Sequence, residues 1–305
     1  MNDQKVTLFN LRNMKVLGTL AQENEEISTF AISPNQNYLA TSNRSALIRI
    51  FKMPENLEAQ DFSKLECIGT FRTPNQLVLE MTFDPSSKFL AAGTSDSHIK
   101  VFDVVKNFQT HNFTGHRGII QKLVFHPKSD SLKLLSTAED FVIRVWDLVL
   151  KKEVTVMKPK GKDDNMAHMT TSIAFTNDKK TLITGGRDSC LHFWNAEQNF
   201  KHISSVRIES LGALKFDEIN NLVYISSKVD PCIIIGGSSG QILVYSINRQ
   251  EIIFRANESR ILATDDVVED GSETTNEIVF LEHLKNSNSI VAINGDQNAF
   301  VYDII

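Results

Sequence analysis

The chain has 305 residues, with 32 Lys and Arg against 37 Asp and Glu, for a net charge of −5. Hydrophobic residues make up 41% and charged residues 23%, which is enough apolar material for a sizeable core and excludes disorder of the whole chain. The slight acidity argues against a protein built mainly around a basic nucleic-acid face, though a local patch fits within it.

In chain order, short runs alternate at period two and each ends on an aromatic residue. They are VTLF ending at Phe9, LIRIF at Phe51, HIKVF at Phe102, VIRVW at Trp146, CLHFW at Trp194, QILVY at Tyr245 and NAFVY at Tyr302. Such runs predict strands with a buried face, and helical periodicity is almost absent. The aromatics recur at intervals of 42, 51, 44, 48, 51 and 57 residues, a period that indicates a repeat architecture. Six residues before each aromatic stand Asp3, Ser45, Asp96, Asp140, Asp188, Ser239 and Asp296. An Asp in a short turn accepts hydrogen bonds from nearby backbone N–H groups, so this position predicts a hairpin turn feeding the strand. Upstream, ISPNQNYLATS (32–42), FDPSSKFLAAG (83–93), FHPKSDSLKLLST (125–137) and FTNDKKTLITGG (175–186) each read strand, turn, strand. The unit is therefore about four short strands.

These features resemble the WD-repeat family. The resemblance implies an all-β, WD40-type seven-bladed β-propeller forming a single domain over residues 1–305. It is clearest in the repeat holding Gly115, His116, Ser136, Asp140, Trp146 and Asp147, where it implies a hydrogen-bonded network of His116, Ser136, Asp140 and Trp146. Because these polar residues sit at repeat-specific positions, the expectation is strand fastening rather than Ser/His/Asp catalysis. Other repeats lack that His and are expected to rely on apolar packing and sheet hydrogen bonds. The sequence opens at the turn and third strand of one repeat and stops after the third strand of another. The tally is 25 strands where seven full blades need 28. The first and last blades are thus expected to be incomplete, and the chain to be a fragment or a shortened gene product.

Longer segments carry a narrower resemblance. MTFDPSSKFLAAGTSDSHIKVFDVVKNFQTHNFTGHRGIIQKLVFHP (81–127) and TAEDFVIRVWDLVLKKEV (137–154) are similar to the transducin beta-like tandem-propeller proteins of the small-subunit processome, as is the opening of the chain. The match continues through RIESLGALKF to DQNAFVYD and covers the family's first propeller only. It implies a nucleolar, non-catalytic scaffold without a cofactor. The implied partners are other processome WD-repeat subunits and, by proximity, precursor ribosomal RNA or the U-three small nucleolar ribonucleoprotein. No membrane or small-molecule substrate is expected. The alternative is a generic WD-repeat adaptor in a ubiquitin ligase or signalling complex.

Other chemistry reads weakly. Cys67, Cys190 and Cys232 stand far apart without CxxC, which speaks against a disulfide framework or a structural zinc site and suits a reducing compartment. The N-terminus has no apolar run of signal-peptide length, and no stretch nears the ~18 apolar residues of a membrane helix. GGSSG (236–240) has the form G-x-S-x-G, but QILVY follows it as a strand, so Ser238 is expected in a hairpin turn rather than at a nucleophile elbow. Lys151, Lys152, Lys158, Lys160 and Lys162 form a basic stretch; its segment KPKGKDDN lies between strands and is expected as a protruding loop, solvated or contacting RNA or an acidic partner. Asp265 to Glu277 is acidic and reads as a connection between repeats. His111, His116 and His126 have poor metal-ligand spacing.

Overall fold

The computed structural model describes residues 6–10, 15–20, 26–54, 64–73, 76–159, 168–211, 218–227, 229–257, 278–284, 289–294 and 299–303. Among these residues there are twenty-five β-strands and no α-helix. The strands divide between two compact units, Met1–Val156 and Met157–Ile305.

In the first unit, β1 (Val6–Asn10) and β2 (Lys15–Leu20) form a two-stranded sheet. The second sheet is β3 (Ile27–Ile32), β4 (Tyr38–Asn43), β5 (Leu47–Lys52) and β6 (Cys67–Arg72). The third is β7 (Val78–Phe83), β8 (Phe89–Thr94), β9 (Ile99–Asp103) and β10 (Phe108–Phe113). The fourth is β11 (Ile120–Phe125), β12 (Lys133–Ala138), β13 (Ile143–Asp147) and β14 (Lys152–Met157). In the second unit, the fifth sheet is β15 (Thr170–Phe175), β16 (Thr181–Gly186), β17 (Cys190–Asn195) and β18 (Lys201–Arg207). The sixth is β19 (Ile219–Ile225), β20 (Cys232–Gly237), β21 (Gln241–Ser246) and β22 (Glu251–Asn257), and the last is β23 (Ile278–Leu284), β24 (Ser289–Asn294) and β25 (Ala299–Asp303). Each sheet is an antiparallel meander in chain order, as short hairpin connections dictate. The two-stranded first sheet and three-stranded last sheet match the incomplete end blades expected from the sequence.

Burial follows strand position. All of β9 is buried, whereas β10 buries only Phe113 fully. The middle strands are covered on both faces and the outer strands on one, so the middle runs are the most β-branched and apolar. Phe102 stacks on Phe71 at 4.4 Å within one cluster that joins the second and third sheets. Trp146 stacks on Phe113 at 5.1 Å within the cluster that joins the third and fourth. In the second unit, Leu191, Ile219, Leu222, Ile235 and Tyr245 share the corresponding core.

Among the described residues, the turns between second and third strands adopt one conformation. The residue after the turn Asp or Ser has φ near +60° at Ala46, Ser97, Phe141 and Ser189, and Gly240 follows the pattern. A second left-handed position recurs between third and fourth strands, at Asn107, Lys151, Asn199 and Gln250. Lys151 is therefore a turn residue of the β13–β14 hairpin, a role its place in a lysine run does not suggest.

Candidate functional site: repeat networks and exposed turns

In the fourth sheet the four expected residues meet. The indole Nε1 of Trp146 donates to Ser136 Oγ at 2.8 Å. His116 Nε2 lies 2.7 Å from the same oxygen, and His116 Nδ1 lies 2.9 Å from Asp140 Oδ2. With the ring neutral, one proton order satisfies every atom. Trp146 donates to Ser136, Ser136 donates to His116 Nε2, and His116 Nδ1–H donates to Asp140. Burial holds the His116 pKa below its ordinary 6.5, against the upward pull of Asp140. Asp140 also accepts the Arg117 amide at 3.1 Å, which ties the segment before β11 to the turn. Beside this chain, Arg144 pairs with Glu153 across β13 and β14. The arrangement is a fastener. His116 and Ser136 are both buried, and the polar side-chain groups of the quartet bond to one another across strands and turn.

The third and fifth sheets differ from the sequence expectation, because polar networks recur in them from different positions. In the fifth sheet the histidine comes from the third strand itself. His192 Nε2 bonds Asp188 Oδ2 at 2.7 Å, His192 Nδ1 meets Ser205 Oγ at 2.7 Å, and Trp194 donates to Thr184 Oγ1 at 3.0 Å. Burial works to raise the Asp188 pKa, but the His192 hydrogen bond and charge hold it below the ordinary value. In the third sheet Gln76 takes the histidine's place, bonding Asp96, while Lys100 Nζ donates to Gln76 Oε1 at 2.6 Å and Thr94 also bonds Asp96. The signal for these lies two residues before each aromatic. Arg49, Lys100, Arg144 and His192 occupy that position, directly opposite Thr41, Ala92, Ser136 and Thr184. A polar residue in the middle of a buried strand needs partners, and here it finds them.

The remaining candidates are dispersed. Asp3, Asp296, Lys160, Lys162 and the acidic run from Asp265 to Glu277 lie outside the described residues. Lys151 and Lys152 stand at one end of β14 and Lys158 just past the other, ~20 Å along a strand of this length. Lys158 opens the segment expected as a loop, most of which lies outside the described residues. Ser238 lies in the β20–β21 turn, donating its backbone N–H to the Glu218 carbonyl. The three cysteines are free thiols, and burial followed by the Asp188 charge pushes the Cys190 thiol up to about 11. His111 bonds the Leu148 carbonyl and His126 accepts the Lys128 amide, so the histidines serve separate turns. Among the described residues no group of three or more His, Cys, Asp or Glu could hold a metal ion.

One turn motif was not anticipated in full. The residue after the aromatic caps the following turn: Asp103 accepts the amides of Val105 and Lys106, Asp147 those of Val149 and Leu150, and Asn195 those of Glu197 and Gln198.

The WD domain, G-beta repeat family matches residues 65–103, 107–147 and 164–195, and each match ends on one of these three capping residues. Three segments of the chain match the WD repeat. With the sheet topology, this makes the fold an all-β, WD40-type propeller with incomplete end blades. The chain is 31% identical over 194 residues to transducin beta-like protein 3 of Bos taurus, a match covering 63% of this chain and 22% of the relative. It is 24% identical over 289 residues to U3 small nucleolar RNA-associated protein 13 of Saccharomyces cerevisiae, covering 92% of this chain and 34% of the relative. The chain thus spans between a fifth and a third of the length of these relatives. A chain in the crystal structure of the mitotic checkpoint complex aligns with a TM-score of 0.73 over 99% of this chain and 82% of that one; at 17% identity the likeness shows the fold alone.

Proposed function

We propose that this chain is a non-catalytic WD-repeat scaffold of the small-subunit processome, supporting maturation of the small-subunit ribosomal RNA in the nucleolus. The observation that carries the reading is the similarity to U3 small nucleolar RNA-associated protein 13 over 92% of the chain, which extends well past the three segments that match the repeat family. The polar clusters support a non-catalytic role, since each is consumed in fastening strands. Its partners are other WD-repeat subunits, with precursor RNA and the small nucleolar ribonucleoprotein nearby. The network residues His116, Ser136, Asp140 and Trp146 and the turn residues Asp96 and Asp188 act structurally. The test is affinity purification of the tagged chain from its own cells, with mass spectrometry and RNA sequencing. Recovery of small-subunit precursor RNA together with processome subunits supports the reading. Recovery of a ubiquitin ligase or signalling complex without that RNA overturns it in favour of an adaptor.

A further inference from the structure

Two neighbouring turns of the first unit expose apolar side chains that their own geometry does not require. In the β9–β10 turn, Val105 is 69% and Phe108 48% exposed. In the β13–β14 turn, Val149 is 69% and Leu150 57% exposed. Both turns are tied down by hydrogen bonds. Asp103 and Asp147 each accept two backbone amides, and Val104 and Leu148 beneath them are buried. The second turn is held against β10 by the Leu148 carbonyl, which accepts from His111 Nε2 at 2.8 Å, three residues along β10 from Phe108. The same capped turn in the fifth sheet carries Glu197 and Gln198 where the fourth carries Val149 and Leu150. The turn conformation therefore tolerates polar residues, and the apolar ones in the third and fourth sheets are an addition to it.

Positive charge predominates around these four side chains. Lys88, Lys106, Lys151 and Lys152 are exposed, and the Lys88 carbonyl accepts the Val104 amide directly under the first turn. Of the nearby acids, Asp103 and Asp147 are engaged by backbone amides and Glu153 is paired with Arg144, while Asp130 of the β11–β12 turn is exposed. We propose that this surface binds an acidic peptide segment of a protein partner, one that places bulky apolar residues against Val105, Phe108, Val149 and Leu150 and carboxylates against the lysines. Charge complementarity selects the acidic class, and turns tied down in this way lower the ordering cost of binding. Three of the four apolar side chains are aliphatic and give no stacking platform for bases, which favours peptide over RNA. The inference stands apart from the processome reading, because it needs no RNA and names no assembly.

The test is selection from a random-peptide display library on the full chain, with counter-selection on the Val149→Glu/Leu150→Gln variant. That variant copies the residues of the fifth sheet, so it keeps the turn, and an unchanged melting curve verifies this. The proposal expects enriched peptides that combine Asp or Glu with Leu, Phe or Trp. Their synthetic versions should lose about tenfold or more in affinity on the variant, as for anchors at an interface centre. They should also weaken with added salt and on Lys106→Glu/Lys152→Glu. Peptides that bind wild type and the folded variant equally would overturn it. So would failure to enrich any acidic sequence, or a surface that binds single-stranded RNA or anionic vesicles but no peptide.

Discussion

Ile120 occupies the space that a side chain at residue 93 would need: a Cβ on Gly93 would stand 2.6 Å from Ile120 Cγ2 and 2.9 Å from its Cβ. Gly93 lies in the second strand of one sheet and Ile120 is the first residue of the next sheet's inner strand. The relationship repeats in the second unit, at Gly185 with Ile219 and at Gly236 with Ile278. Each glycine lets a neighbouring sheet approach, and each isoleucine is fully or nearly fully buried there.

Gly93→Ala is therefore expected to destabilise the chain by about 1–3 kcal/mol through overpacking. Ile120→Ala alone is expected to cost about 2–5 kcal/mol through the cavity it leaves. In the double variant the new methyl enters that cavity, so its loss should fall below the sum of the two. Denaturant unfolding of all four proteins checks this, and strict additivity would contradict the contact.

Ser136 accepts from Trp146 and donates to His116, so Ser136→Ala strands two buried groups at once. The expected cost is about 1–3 kcal/mol per stranded group. Ser136→Thr keeps the hydroxyl, as Thr184 does beneath Trp194, and should retain most of the stability. Denaturant unfolding followed by tryptophan fluorescence separates the two variants.

Stability should fall on mild acidification. Burial holds the His116 and His111 pKa values below 6.5 in the folded chain, so the unfolded chain binds more protons as the pH drops through 6.5. This contribution is present above that pH and is lost below it. Asp188 adds a second, more acidic loss, because its folded pKa lies below the ordinary 3.8 and its stabilising charge disappears as the pH falls through that lower value. Unfolding midpoints across the pH range should show the first loss diminished in His116→Gln and the second diminished in Asp188→Asn.

The thiols should react in a fixed order. Cys67 is exposed, while Cys190 is buried with its thiol pushed up to about 11. A thiol-specific reagent at mildly alkaline pH should modify Cys67 in the folded chain and reach Cys190 only on unfolding. Mass mapping after timed labelling reads this directly, and early modification of Cys190 would contradict its burial.

Much of this architecture is legible in the residues. Period-two runs ending at Phe51, Phe102, Trp146, Trp194 and Tyr245 locate third strands, because a strand covered on both faces selects β-branched and aromatic side chains. Asp140 and Asp188 locate turns, because an Asp side chain satisfies turn amides within its own short reach. The quartet around Trp146 is what the resemblance to the WD-repeat family implies, and its four residues meet in the fourth sheet.

Other features depend on neighbours remote in sequence. Lys151 belongs to a lysine run by position and to a left-handed turn by conformation, since the hairpin must reverse there whatever residue stands at that point. His192 and Gln76 reach the role that His116 plays by different routes, because a buried carboxylate needs a donor and does not specify which strand supplies it.

The sequence by itself determined strand type, strand order and turn placement, all consequences of alternation and turn chemistry acting over a few residues. Only the tertiary structure decided which polar groups meet, which glycines admit a neighbouring sheet, and which apolar side chains stay outside. Those outcomes depend on what packs against each strand from a segment that is distant along the chain.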